Sequence, residues 1–146
     1  FYTVMKNFQH ARIMLAAMGV GEAQKALEIT IANVKQRQAF GAPLFNKDVV
    51  RDKLARMQTK ISIAQNYLYY VAWLDAQGVD CIKEVSMLKA NACEIANEVM
   101  YDCVQLHGGM GFMTESVIER MSRDARVLTI GGGTTEVMYG EVAKRL

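Results

Sequence analysis

Between Thr3 and Gln38 the apolar residues Val4, Phe8, Ile13, Met14, Met18, Ala26, Leu27, Ile31 and Val34 fall mostly three or four positions apart. That spacing gathers side chains on one face of an α-helix, and Phe40-Gly41-Ala42-Pro43 ends the run. A second helix is expected from Asn46 or Lys47 to Ala76, with Val50, Leu54, Met57, Ile61, Ala64, Leu68 and Val71 as its stripe and Gly78 as its stop. A third runs from Lys83 to Leu106, burying Val85, Leu88, Ala92, Ile95, Ala96, Val99 and Cys103, and halts at His107-Gly108-Gly109-Met110-Gly111. A shorter helix follows from Thr114 to Arg123, with N-capping residues in Thr114-Glu115-Ser116. Val127-Leu128-Thr129-Ile130 is then cut by three glycines, after which Thr134 or Thr135 caps a last helix to Arg145.

The expected fold is all-α: an antiparallel up-and-down bundle of three long helices plus one or two shorter ones, joined by short loops. One proline and ten methionines agree with long packed helices. With 146 residues and 51% hydrophobic content the chain fits one domain, residues 1–146, with one sizeable core. It opens in helix-like sequence without an initiator Met or a capping residue, and so reads as a piece of a longer protein. A net charge of +2 with 22% charged residues gives no electrostatic footprint for nucleic acid or an anionic membrane. The three cysteines form no metal-spaced pair and read as buried reduced thiols of an intracellular protein. No apolar run reaches the ~20 residues of a membrane span.

Generic catalytic patterns fail in turn. His10 and His107 are remote from each other and lie in no metal-binding motif, so no metal site is expected. There is no GxSxG or Walker-type loop, and the glycines after His107 follow a helix where a dinucleotide fingerprint needs a strand. What remains is the Arg37-Gln38-Ala39-Phe40-Gly41 corner and two glycine-rich breaks. Taken one by one these are helix termini. Their exposed N–H groups, with a nearby arginine, also suit phosphate.

Four segments occur in order: Arg37-Gln38-Ala39-Phe40-Gly41 with Pro43-Leu44; Asp102 to Phe112, with Gln105-Leu106-His107-Gly108-Gly109 at its centre; Arg123-Asp124-Ala125-Arg126; and Ile130 to Met138, with Gly131-Gly132-Gly133-Thr134-Thr135-Glu136. In this order and at these separations they resemble the C-terminal helical domain of the acyl-CoA dehydrogenase family, over essentially the whole chain. The resemblance implies FAD as cofactor, an acyl-CoA thioester as substrate, and two further domains, an N-terminal helical and a middle β domain. It also implies a homotetramer or hetero-oligomer in which subunits share the cofactor contacts. By motif, Arg37 and Phe40 would contact the adenine-dinucleotide end of FAD. Gln105, Leu106, Gly108 and Gly109 would receive its adenosine-diphosphate portion, and Thr134 and Glu136 would lie on the flavin side. Arg12 would stand beside the acyl-CoA cleft. Relatives often carry a hydroxyl residue at Ala39 and glutamine at Asp48.

The resemblance breaks at the catalytic base. The family's α,β-dehydrogenation needs a carboxylate that removes the α-proton while the β-hydrogen leaves as hydride. Most relatives would carry it at Gly132 and a minority at Ala11, so neither usual position holds an acid here. Gly132 keeps a backbone N–H for the thioester carbonyl. Several readings stay open, a different flavin reaction on the same fold among them. The full-length parent oxidises acyl-CoA with a base from elsewhere, this piece alone being inactive, or the chain is an inactive FAD- and acyl-CoA-binding subunit or scaffold. Glu136 and Asp124 are the nearest acids, expected as a flavin-side contact and an arginine partner. Tyr67, Tyr69, Tyr70 and Trp73 read as packing or subunit-interface residues, and Arg51, Lys53, Arg56 and Lys60 as a solvated face. A bacterial cytoplasm and a mitochondrial matrix both suit the composition.

Overall fold

The computed structural model describes the backbone of residues 2–146 and the side chains of residues 8–146. Three long helices, α1 (Tyr2–Gln36), α2 (Asp48–Ala76) and α3 (Ile82–His107), form the antiparallel bundle. They are followed by a four-residue helix, α4 (Gly109–Phe112), and by α5 (Val117–Ala125) and α6 (Thr135–Ala143). The α3 helix is central and packs against α1, α2, α5 and α6.

All seven stripe residues expected on α2 and all seven on α3 are buried. Leu88 and Val99 of α3 are 1% exposed and meet a core shared with Leu27, Ile61 and Leu128. Replacing Leu88 with alanine is expected to cost about 2–5 kcal/mol, because the rigid surroundings leave a cavity. A chemical-denaturation midpoint, compared with wild type at constant slope, measures it.

On α1 the expectation needs correction. Phe8, Met14 and Met18 are exposed, Ile13 and Ile31 only half-buried, and Val4 lies outside the described side chains. Ala26, Leu27 and Val34 are buried as expected, and Ala16, Val20, Ala23 and Thr30 complete the face that enters the core. Small residues decide this, since a Cβ added at Gly19 would stand 3.4 Å from the Ala92 carbonyl of α3. The two helices approach too closely there for methionine. Thr30 is tolerated in the core because its hydroxyl donates to the Ala26 carbonyl at 2.8 Å.

The connections hold what helical periodicity misses. After α1 the chain makes a two-residue antiparallel ribbon, Gln38–Ala39 against Ala42–Pro43, and a 3₁₀ turn over Leu44–Asn46. At its tip Phe40 has φ 55°, unusual for a side chain larger than glycine, and Gly41 has φ 80°. The helix expected from Thr114 is α5 and starts at Val117; Ser116 occupies the N-cap position without a side-chain hydrogen bond, while its N–H closes a turn onto the Met113 carbonyl. Thr134 does cap α6, its hydroxyl accepting from the Val137 N–H at 3.4 Å, and α6 ends at Ala143 rather than Arg145. Val127–Ile130 continues α5 as a 3₁₀ turn over Arg126–Thr129. Cys81, Cys93 and Cys103 are buried free thiols, and burial pushes Cys93 and Cys103 up to about 11. No helix among the described residues is long and apolar enough to cross a membrane.

Candidate functional site

Two clusters of chemically equipped residues lie along α1, one beyond its C-terminal end and one against Arg12 in its N-terminal third. At its C-terminal end, Arg37 leaves the helix and turns its guanidinium toward the end of α3, where Nη1 donates to the His107 carbonyl at 2.8 Å. That carbonyl would otherwise be an orphan of the helix terminus. His107 is buried, with its Nδ1 on the Cys103 carbonyl. Gly108 has φ 61°, and a Cβ there would come within 3.0 Å of Nη1 and 3.3 Å of Nη2 of Arg37. The glycine thus lets loop backbone and guanidinium close on each other, while the rest of the planar fork remains available to a ligand.

Around this contact lies a cavity of about 310 Å³ lined by Arg37, Phe40, Gln105, Leu106 and Gly108, joined by Ala39, Leu44, Val49, Val50 and Lys53. Five residues expected at the dinucleotide end from two separate motifs are brought to one place. Phe40 is 93% exposed, held over the cavity by its left-handed backbone, with the Lys47 ammonium 5.5 Å from its ring. Gly109 begins α4 and is exposed, outside the lining residues. Asp48 sits on the first turn of α2, pairs with Arg51 and does not line the cavity. A cation, an exposed aromatic face and a glycine loop fit a nucleotide diphosphate: donors for the phosphates, a ring for the base and room for close backbone approach.

In the second cluster, Arg12 of α1 donates through Nε to the Gly132 carbonyl at 3.0 Å, and burial holds its guanidinium below the usual range. Lys89 of α3, which the sequence reading passed over, is fully buried and donates to the Gly133 carbonyl. The signal for it was present: a lone cation on the apolar face that also carries Val85, Leu88 and Ala92. Thr134 and Glu136 open α6, and hydrogen bonds from the Glu136 backbone and the Thr134 hydroxyl hold the Glu136 carboxyl below its usual range. Gly132 has φ 68°, and a Cβ on it would stand 2.7 Å from Cδ1 of Leu15. Ala11 is exposed beside Arg12. Among the described residues Asp124 has no arginine within ion-pair distance, and the ion pair in that region joins Arg123 and Glu119. Tyr70 and Trp73 stack at 6.4 Å on the exposed side of α2.

These features describe a helical domain with an arginine, an exposed aromatic ring and a glycine loop gathered around one cavity, and a glycine loop held by Arg12 and Lys89 away from it. Over residues 1–146 the chain matches the family model for the C-terminal domain of acyl-CoA dehydrogenase. A probable acyl-CoA dehydrogenase of Bacillus subtilis is 38% identical over 146 residues, covering 100% of this chain and 38% of that protein. The long-chain specific mitochondrial acyl-CoA dehydrogenase of Sus scrofa is 37% identical over 146 residues, 100% of this chain and 34% of that one. The crystal structure of a probable acyl-CoA dehydrogenase from Mycobacterium abscessus superposes with a TM-score of 0.97 at 39% identity, covering 99% of this chain and 39% of that one. The chain belongs to the acyl-CoA dehydrogenase family, a family of FAD-dependent flavoproteins, and has the fold of its all-α C-terminal domain. It spans between 34% and 39% of the length of these relatives.

Proposed function

We propose that this chain is the C-terminal domain of a longer FAD-dependent oxidoreductase that carries out α,β-dehydrogenation of an acyl-CoA thioester. The observation that carries the reading is the shared cavity in which Arg37, Phe40, Gln105, Leu106 and Gly108 converge. There Arg37 donates to pyrophosphate and Phe40 covers the adenosine end, Gln105 and the Gly108 backbone line the path between them, and Gly109 meets the ligand from just outside the cavity. In the other cluster Thr134 and Glu136 face the flavin and Arg12 borders the thioester cleft. Bound flavin would supply the acceptor for the hydride leaving the β-carbon.

Along α1, Arg12 and Gln36 stand roughly 36 Å apart at 1.5 Å per residue, further than one dinucleotide reaches. Arg37 and Thr134 of one chain therefore serve different FAD molecules, which supports assembly into at least a dimer, in keeping with a homotetramer or hetero-oligomer. The Gly132 N–H donates to the thioester carbonyl and stabilises the enolate that forms as the α-proton leaves. The proton acceptor comes from outside positions 11 and 132. Domains other than this one, or a partner subunit, are its source, and this domain alone is inactive. An inactive FAD-binding subunit is the second reading, favoured by the absence of an acid at both positions.

The test is anaerobic. The full-length parent is expected to carry flavin in its visible spectrum and to lose the oxidised band when a panel of acyl-CoA thioesters is added. Flavin that no thioester reduces selects the second reading, and a parent that binds no flavin ends both.

A further inference from the structure

Lys89 lies deep in the bundle, 0% exposed, on the face of α3 that also carries Val85, Leu88 and Ala92. Among the described residues no carboxylate stands within ion-pair distance of its ammonium. Its one hydrogen bond goes to the Gly133 carbonyl. Burying an unpaired ammonium is costly, and methionine would fill the same space without that cost. For stability alone the lysine is the worse choice.

What the lysine does supply is direction. The Gly133 carbonyl and the Thr134 N–H belong to one rigid peptide plane, so the ammonium that holds the carbonyl also aims the N–H at the start of α6. Arg12 acts one peptide earlier, holding the Gly132 carbonyl at 3.0 Å and thereby the plane of the Gly133 N–H. Neither N–H donates to a protein acceptor among the described residues. Gly132 and Gly133 have φ 68° and 113°, conformations in which a glycine loop has little intrinsic reason to stay. A cation on a carbonyl also polarises its peptide, making the N–H a stronger donor.

We propose that Lys89 is a positioning residue of the flavin-facing site, which together with Arg12 fixes two consecutive peptide planes so that the Gly133 and Thr134 N–H groups meet cofactor and thioester preorganised. This rests on the family reading of that end of the domain, and the experiment separates the two. In the full-length holoprotein, Lys89→Met is expected to keep or raise the thermal midpoint. The apoprotein's Kd for FAD, read by flavin fluorescence quenching, should rise about tenfold, the scale for losing a charge-assisted hydrogen bond. Where the wild type reduces its flavin, the limiting reduction rate should fall by a similar factor while the thioester concentration for half-saturation stays within about threefold, the pattern of an interaction made in the transition state. A folded Lys89→Met protein with wild-type FAD affinity, flavin spectrum and reduction rate overturns the proposal while leaving the family reading intact. A wild type that binds no FAD ends both.

Should Lys89→Met not fold, wild type decides the matter by pH. Burial holds the ammonium below the usual lysine range, and the charged or titratable groups facing it are Arg12 from α1, Cys93 on α3 and Glu136 from α6. Deprotonation turns the charge-assisted bond to the Gly133 carbonyl into a neutral one, and burial brings that loss on at a lower pH than for an exposed lysine. FAD affinity is therefore expected to drop about fivefold as pH rises toward the ordinary lysine range, where a charge-assisted bond becomes a neutral one. An affinity that stays flat until the fold melts overturns the proposal.

Discussion

Replacing Arg37 with alanine is expected to weaken FAD binding by the full-length protein roughly tenfold to a hundredfold, because a hydrogen bond to a charged partner is worth about 1.5–3 kcal/mol. The side chain holds two things at once. One N–H of its fork is committed to the His107 carbonyl, and the side chain lines the cavity shared with Phe40 and Gln105. Alanine therefore removes the phosphate donor and also leaves a helix-terminal carbonyl without its partner, which adds about 1–3 kcal/mol of instability if water cannot reach it. Arg37→Lys separates the two losses. It keeps the charge but not the planar fork, so it should recover part of the affinity and little of the link to His107. Kd by fluorescence quenching, read beside the thermal midpoint, resolves both effects. Alanine at position 37 with unchanged FAD affinity would remove this corner from the cofactor site.

The contrast between α1 and its neighbours shows what a sequence discloses. The stripes of α2 and α3 were legible to the residue because each large apolar side chain there points at a core wide enough to take it. On α1 the large residues Phe8, Met14 and Met18 misled, since the contact with α3 is close enough that glycine and alanine select the buried face. The ribbon at Gln38–Pro43 and the four-residue α4 are too short for any period to register. At the candidate site, Arg37, Phe40, Gln105 and Gly108 were legible as a set through their order along the chain. Their convergence was not, because it depends on where α1 and α3 both end. Lys89 was hidden for the opposite reason: its position in the helix repeat reads as core, and only its chemistry disagrees.

A glutamate can be introduced at only one of positions 11 and 132 without distorting the fold. At Gly132 a glutamate would adopt φ near 68° and bring its Cβ to 2.7 Å from the Leu15 side chain. The left-handed backbone alone costs about 1–2 kcal/mol, and Leu15 must also move. At position 11 the backbone is ordinary helix and the side chain is exposed, beside the arginine that grips the Gly132 carbonyl. Gly132→Glu is therefore expected to lower the thermal midpoint by about 3–8 °C, at some 2–4 °C per kcal/mol for a protein of this size or larger. Ala11→Glu should leave it within about 1 °C, the scale of an exposed helical substitution. Thermal unfolding of the two variants in parallel checks this, and equal midpoints would mean that the loop at Gly132 relaxes freely. The stable variant then reports on the chemistry. A positioned general base contributes about 10²–10⁴ in rate, so a gain of that size in flavin reduction by Ala11→Glu identifies a parent that lacks a base. An active parent left unchanged has its proton acceptor in another domain or subunit, already facing the thioester, and a second carboxylate across the cleft adds nothing to it.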